Sequence, residues 1–243
     1  MNVLIPMAGA GSRFSRAGYI KPKPLIEIEG KPMIQWVVEN IEIEGKYIFI
    51  LQKEHLKRYP EIEKTLRDLV ADIEIIEVDG LTEGAACTAL LSKEHINNDE
   101  PLLICNSDQW IDWDPKRFLN FVNRKQSDGA LLTFLSDSPK HSYSRYNYAT
   151  RQVTEVAEKQ VISNYATVGI YYWKSGKLFV DCAESMIEKN IRFNNEFYIC
   201  PVYNELIFGR NGKVHLYPIA EMRGMGTPEE LDRFLKLLTT EGI

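Results

Sequence analysis

The sequence predicts an α/β protein: three layers, α/β/α, around a mostly parallel sheet, with a smaller mixed part attached. Three observations carry this. Up to about residue 135, short apolar runs rich in β-branched residues trade places with segments of helical period, the signature of strand–helix–strand crossovers that lay helices on both faces of a sheet. After Asp137 that regularity weakens, so the second half is expected to pair its strands differently. The chain has 243 residues, of which 44% are hydrophobic and 26% charged, the length of one large α/β domain and the balance of a globular protein.

The elements follow in order. Val3–Pro6 reads as a buried strand. After Gly30-Lys31-Pro32, residues Met33, Ile34, Val37, Val38 and Ile41 mark one face of a helix. Tyr47–Leu51 is a predicted strand, Glu61–Val70 a helix with Ile62, Leu66 and Leu69 in register, and Ile73–Val78 a strand. Gly84–Ser92 is a predicted helix, Leu102–Cys105 a strand, Pro115–Lys125 a helix, and Ala130–Leu135 a strand. Ser138–Arg145 is expected to be a polar loop. Val153–Val156 and Ala166–Trp173 are expected strands, Lys177–Glu188 and Phe197–Phe208 helices, and Val214–Pro218 a strand. The last helix announces its start: Thr227 as N-cap, Pro228 in the first turn and Glu230 three residues after the cap.

Charge and composition exclude several functions. A formal net charge of -5, from 29 basic and 34 acidic residues, gives no broad basic face for nucleic acid. An anionic ligand must then be held by a few placed cations or a metal. No stretch approaches the ~20 apolar residues that span a bilayer, and Met1–Pro6 reads as a strand rather than a signal peptide. The expectation is a cytoplasmic protein with no membrane or nucleic-acid partner. Cys87, Cys105, Cys182 and Cys200 lie far apart without ligand spacing, as do the four histidines, so neither a disulfide framework nor a zinc site is expected.

Chemistry concentrates in three clusters. Pro6-Met7-Ala8-Gly9-Ala10-Gly11-Ser12-Arg13-Phe14 follows the first strand. Its glycines permit a tight turn that brings N–H groups near an anion. A dinucleotide fold would want a third glycine at position 14, where Phe14 stands, and a P-loop would close in Gly-Lys-Ser/Thr. The chain instead runs through Arg13, Arg16, Lys21, Pro22, Lys23 and Pro24, and two prolines predict a stiff, extended, cation-bearing arm suited to lie along a triphosphate. Its plain alternative is a solvated basic loop. Asn106-Ser107-Asp108-Gln109 ends a buried strand, where ligands of open α/β sheets sit. An aspartate there suits a hard cation such as Mg²⁺, or simply a strand-ending turn. Asp112-Trp113-Asp114 is a literal Asp-x-Asp, but Asp114 precedes Pro115 and fits a helix cap. In Thr82-Glu83-Gly84-Ala85-Ala86, small residues leave room for a flat base at a helix start.

In this fixed order the three clusters resemble the nucleotidyltransferase (NTP-transferase) family, the nucleotide-sugar pyrophosphorylases. The likeness is densest in Gly9-Ala10-Gly11-Ser12-Arg13, Pro22-Lys23 and Leu25–Pro32, and continues in Glu158-Lys159 and Ser163-Asn164-Tyr165-Ala166. It implies a Rossmann-like, GT-A-like nucleotidyltransferase fold in a single domain: a nucleotide-binding part over about 1–135, an acceptor-binding part over about 136–226, and a C-terminal helix at 227–243. It implies Arg13 and Lys23 as catalytic cations. Ala8, Gly9, Ala10, Gly11, Ser12, Gly84, Ala85 and Asn106 are the implied nucleotide-binding residues, Asp108 the ligand of Mg²⁺, or Mn²⁺ in its place, and Glu158, Lys159, Tyr165 and Glu196 the acceptor-binding residues.

One departure stands out. Members commonly carry an Asp two residues before a Gly-Thr as a second metal contact, and here that place is Gly224. The second ligand is therefore missing, moved or unnecessary; Asn195 and Glu196 are candidates for a substrate or metal role, their plain alternative being an ordinary helix start. The implied reaction joins a nucleoside monophosphate from CTP, UTP or dTTP to a phosphorylated acceptor such as a sugar 1-phosphate, releasing pyrophosphate, as in compact members of capsule and surface-polysaccharide pathways. Three alternatives stand beside it: CTP-dependent transfer to a non-sugar phosphate (phosphoglutamine/phosphoramidate or phosphocholine-like), a metal-dependent glycosyltransferase using Asp112-Trp113-Asp114, and a non-catalytic nucleotide-binding module. A homo-oligomer is left open.

Overall fold

The computed structural model describes residues 1–241. Nine strands form the main sheet: β1 (Asn2–Pro6), β2 (Lys46–Gln52), β3 (Ile73–Val78), β4 (Leu102–Cys105), β5 (Gly129–Leu135), β6 (Tyr143–Asn147), β7 (Gln152–Ala157), β8 (Tyr165–Trp173) and β9 (Val214–Pro218). β3, β2, β1 and β4 lie side by side and parallel, as the alternating first half predicts. β8 then runs antiparallel to β4. On its far edge it pairs with β5, which is parallel to β9.

The hairpin of β6 and β7 reaches β8 at Ala166, opposite Tyr143. Ala166 also faces Phe134 of β5, so β6 occupies the same edge of β8 as β4 does. Between the end of β4 and the start of β6 the two partners of that edge part: Thr167 N–H donates to the Ser142 carbonyl at 2.8 Å while the Gly169 carbonyl accepts from Asn106 N–H at 2.9 Å, and Thr167, Val168 and Gly169 line the cleft described below.

The strand residues explain the layers. Along β1, Val3 and Ile5 enter one core and Leu4 the other, all at 0% exposure. A strand buried on both faces has to be apolar at every position, so it shows no period of two. The first core takes the helices Met33–Ile41 and Glu61–Leu69 through Ile34, Val37, Ile62 and Leu66. The second takes Gly176–Glu188 and Val202–Arg210 through Phe179, Met186, Val202 and Tyr203. The last helix, Pro228–Glu241, closes over the first core with Leu231, Phe234 and Leu238, Phe234 meeting Trp36 edge-on. The predicted end of this helix at residues 242–243 lies outside the described residues. Among the described residues no helix is long and apolar enough to cross a membrane.

Four expectations are corrected. The cationic arm is not extended throughout: Ser12–Arg16 is one helical turn, entered through Gly11 at φ 59°, and Lys23–Leu25 is a 3₁₀ turn closed by Leu25 N–H donating to the Pro22 carbonyl at 2.9 Å. Pro22 itself is extended, so the prolines stiffen the arm without straightening it. The polar loop at Ser138–Arg145 gives way to β6 from Tyr143. Ser144 is fully buried there and donates to the Tyr165 carbonyl, so a polar residue on the inner face hides the strand. The helix expected from Phe197 begins at Val202, because the Phe197 backbone is committed elsewhere: its N–H donates to Glu83 and its carbonyl accepts from Ala86. Last, the short antiparallel ribbon of Gln109–Ile111 with Met222–Gly224 was not anticipated.

Candidate active site

A cleft of about 690 Å³ opens at the carboxyl ends of β1 and β4, within the range of small-ligand sites and at the place open α/β sheets put them. Its floor is the segment after β4. Asn106 N–H donates to the Gly169 carbonyl at 2.9 Å, and Gln109 Nε2 to the same oxygen at 3.2 Å. Gly169 stands at φ +82°, and a Cβ there would lie 2.6 Å from Gln109 Oε1 and closer still to the Asn106 amide. Only glycine lets β8 bend and come this near to the strand end.

Asp108, two residues further on, is fixed from behind: its carbonyl accepts the Met225 N–H at 2.7 Å. In front, Lys23 Nζ donates to Asp108 Oδ2 at 2.8 Å. The two side chains are 22% and 26% exposed, so this charge pair sits at the cleft wall, less screened than a surface pair. Residues 85 apart in sequence thus meet, and the cation arm reaches the carboxylate. Arg13 is exposed and lines the same cleft, as do Ala85 and Asn106.

The glycine loop lies at the edge of this space. Gly11 packs on Lys23, the Cβ position of the one being 3.6 Å from Cβ of the other. Ala10 and Gly11 line a second, smaller hollow of about 160 Å³ behind the arm, with Lys21, Lys23 and Tyr59. The Ala8 carbonyl is held by Gln52 Nε2 at 2.7 Å. Gly9 has nothing within 4 Å of its Cβ direction, and Ser12 begins the short helix. Gly84 has a second reason to be small: a Cβ there would lie 2.5 Å from the Phe197 nitrogen. The room left by this glycine is filled by backbone, and Ala85 rather than Gly84 faces the cleft.

The far wall carries the second cluster. Glu158 is 7% exposed and accepts from the Ser142 hydroxyl. Burial pushes its pKa up, while Ser142 and Lys159 pull it down and Glu196 adds to the rise. Lys159 Nζ donates to the Tyr198 hydroxyl at 2.8 Å and lies 4.5 Å above that ring. Burial also raises the pKa of Tyr198. Glu158, Lys159 and Tyr198 line the cleft. Glu196 and Tyr165 do not. Glu196 acts on Glu158 and Tyr198 from the rim, and Tyr165 shares a 2.8 Å hydroxyl contact with Tyr148 among exposed aromatics.

Lys140, His141 and Ser142 also line the cleft. No motif marks them, because their place comes from the hairpin start rather than from spacing. His141 is held below its ordinary pKa by burial, with Glu230 opposing and Lys140 adding to the depression. Asp114 caps the helix Pro115–Lys125, accepting from Arg117 N–H at 2.9 Å, which assigns it a structural role.

Among the described residues no three His, Cys, Asp or Glu side chains converge to hold a metal. The donor set at Asp108 fits Mg²⁺ all the same, since that ion takes one or two carboxylates and completes its shell with waters and substrate phosphates. A cradle is present too: a Cβ at Gly226 would lie 2.6 Å from Asp108 Oδ2, so glycine leaves room for a ligand beside that oxygen.

A family model described as nucleotidyl transferase matches residues 3–203. The bifunctional protein GlmU of Methanococcus vannielii is 28% identical over 126 residues, covering 51% of this chain and 28% of that protein. The mannose-1-phosphate guanylyltransferase catalytic subunit beta of Danio rerio is 26% identical over 197 residues, 79% of this chain and 55% of that one. The chain thus spans about a quarter to a half of the length of these curated relatives. Among solved structures, the nucleoside-diphosphate-sugar pyrophosphorylase from Vibrio cholerae RC9 superposes with a TM-score of 0.82 at 25% identity, covering 96% of this chain and 99% of that one.

Proposed function

The chain belongs to the nucleotidyl transferase family, and from that premise we propose that it transfers a nucleoside monophosphate from a nucleoside triphosphate to a sugar 1-phosphate, releasing pyrophosphate. The carrying observation is the 2.8 Å contact of Lys23 Nζ with Asp108 Oδ2, the Asp108 side lining a cleft together with Arg13 and Asn106. An exposed cation, a second cation paired to a carboxylate, and that carboxylate at neighbouring strand ends are what a polyphosphate and its counter-ion require. The names of the relatives favour a sugar phosphate as acceptor. We assign residues 1–135 to the nucleotide and 136–226 to the acceptor.

In the proposed reaction an acceptor phosphate oxygen attacks the α-phosphorus. The new P–O bond forms as the bond to the oxygen bridging to pyrophosphate breaks, and the electron pair leaves with pyrophosphate. The phosphate is already a competent nucleophile, so the chain need not supply a general base. Its work is to hold two polyanions together and to neutralise charge as it grows. Lys23 serves the phosphorus under attack and Arg13 the departing phosphates. Glu158 and the Lys159–Tyr198 pair face the acceptor, the carboxylate suited to sugar hydroxyls and the ammonium to the phosphate. Mg²⁺ held by Asp108 would supply neutralising charge on phosphate oxygens.

Which base, which sugar and whether the product feeds a capsule or surface polysaccharide belong to the same proposal. A panel of UTP, dTTP, CTP and GTP against sugar 1-phosphates, scored by pyrophosphate release, tests it. Gly224 favours keeping CTP with a non-sugar phosphate as a second arm of that panel. Pyrophosphate appearing only with phosphoramidate or phosphocholine-like acceptors would move the assignment there, and none with any acceptor would overturn it.

A further inference from the structure

We infer that Glu230, from the first turn of the last helix, is the second carboxylate ligand of the divalent cation held at Asp108, reaching over the glycine at position 224. The inference rests on the nucleotidyl-transfer reading and deepens it. The geometry comes from two glycines. A Cβ at Gly224 would lie 3.2 Å from Glu230 Oε2 and Cδ, so the Glu230 carboxylate fills the space a side chain at 224 would take. A Cβ at Gly226 would lie 2.6 Å from Asp108 Oδ2 and 3.4 Å from Glu230 Oε2. Both oxygens are therefore within one side chain's reach of a single point, and both residues line the main cleft.

The surroundings point to a cation at that point. Glu230 N–H is capped by Thr227 Oγ1 at 3.2 Å. In the common capping arrangement the Glu side chain would turn back to the N-cap N–H. Here, among the described residues, the Glu230 carboxylate takes no hydrogen bond or ion pair, though it acts electrostatically on His141. Asp108 Oδ2 is neutralised by the Lys23 ammonium, which shows that the spot accepts positive charge and that a cation is already placed there before any ligand arrives. Two carboxylates side by side repel unless a charge lies between them, and two carboxylates with substrate phosphates are a Mg²⁺ donor set. Lys23 then has a second duty: it holds Asp108 in the free protein and competes with the metal for Oδ2.

The test is a Mn²⁺ titration of the full chain without nucleotide, followed by the electron paramagnetic resonance of free Mn²⁺, on wild type and on Glu230→Gln, Asp108→Asn and the neighbouring exposed Glu229→Gln. Thermal melts establish that each variant is folded. Glu230→Gln is expected to weaken binding at least ~10-fold, Asp108→Asn to do so as strongly, and Glu229→Gln to leave it unchanged. Lys23→Met should tighten it by removing the competing ammonium. Wild-type affinity in Glu230→Gln, equal losses in Glu229→Gln and Glu230→Gln, or no binding by wild type would each overturn the inference. The titration needs no turnover. If pyrophosphate is released while Glu230→Gln binds Mn²⁺ normally, Glu230 alone is wrong. If no nucleotide yields pyrophosphate, the reading beneath fails and takes this inference with it.

Discussion

Replacing Gly169 by alanine tests the construction of the site in one step. The residue sits at φ +82°, and its carbonyl is the anchor for both the Asn106 N–H and the Gln109 amide. An alanine pays twice: roughly 1–2 kcal/mol for an L side chain in the left-handed region, and about 1–3 kcal/mol for forcing a methyl into a packed space, since its Cβ would lie 2.6 Å from Gln109 Oε1 with Asn106 nearer still. The cost is about 2–5 kcal/mol, and at roughly 2–4 °C per kcal/mol for a domain of this size Tm should fall by about 4–20 °C. The clash pushes on the segment that carries Asp108, so turnover should fall further than the fraction unfolded accounts for. Differential scanning calorimetry gives the first number and pyrophosphate release well below Tm the second. A variant that melts within a degree of wild type and turns over normally would refute the account of how β8 positions the cleft floor.

Three further outcomes follow. Lys23→Ala should keep its fold and lose at least ~10²-fold in kcat, the usual cost of one fixed charge on a developing anion, with circular dichroism as the control; near-normal turnover would count against the assigned role. Gly9→Ala meets nothing within 4 Å, so stability should stay within ~0.5 kcal/mol of wild type, while KM for the nucleotide rises if the loop backbone touches phosphate; a lower Tm with unchanged KM would reverse that reading. Glu158→Gln addresses pH. Burial raises the folded pKa of Glu158 above 4.5, so protonation stabilises the folded form, and that stabilisation is lost as pH rises through the folded value. The amide should therefore be as stable as wild type or more so at neutral pH, with the gap closing toward pH 4.5, while acceptor KM rises by ~10-fold or more for the lost charged hydrogen bond. A variant less stable at pH 7 than at pH 4.5, relative to wild type, contradicts the burial argument.

What could be read from residues alone divides along physical lines. Strands buried on both faces, such as Leu102–Cys105, and capped helices, such as Pro115–Lys125 behind Asp114, appear where predicted, because apolar runs and caps are local signals. The meeting of Lys23 with Asp108 was legible through motif order, although the helical turn at Ser12–Arg16 was not, since prolines fix φ without fixing the path of the chain. The strand at Tyr143–Asn147 was hidden by buried polar residues, Ser142 and Ser144 satisfying their hydroxyls inside the fold. The late start of the helix at Val202 came from backbone pairing of Phe197 with Glu83 and Ala86, a long-range contact without a local mark. Glu230 reads from sequence as a capping residue, and only the placement of two glycines against it shows where its carboxylate goes.

The central claim is that the Lys23–Asp108 cleft directs attack on the α-phosphorus. A nucleoside triphosphate labelled at the α-phosphate follows that atom directly. With the right phosphorylated acceptor, the label should enter a nucleotide–acceptor product, the pyrophosphate should be unlabelled, and the formation of both should slow at least ~10²-fold in Lys23→Ala. Label recovered as free monophosphate or inorganic phosphate, or label transfer at a near-normal rate in Lys23→Ala, would contradict it.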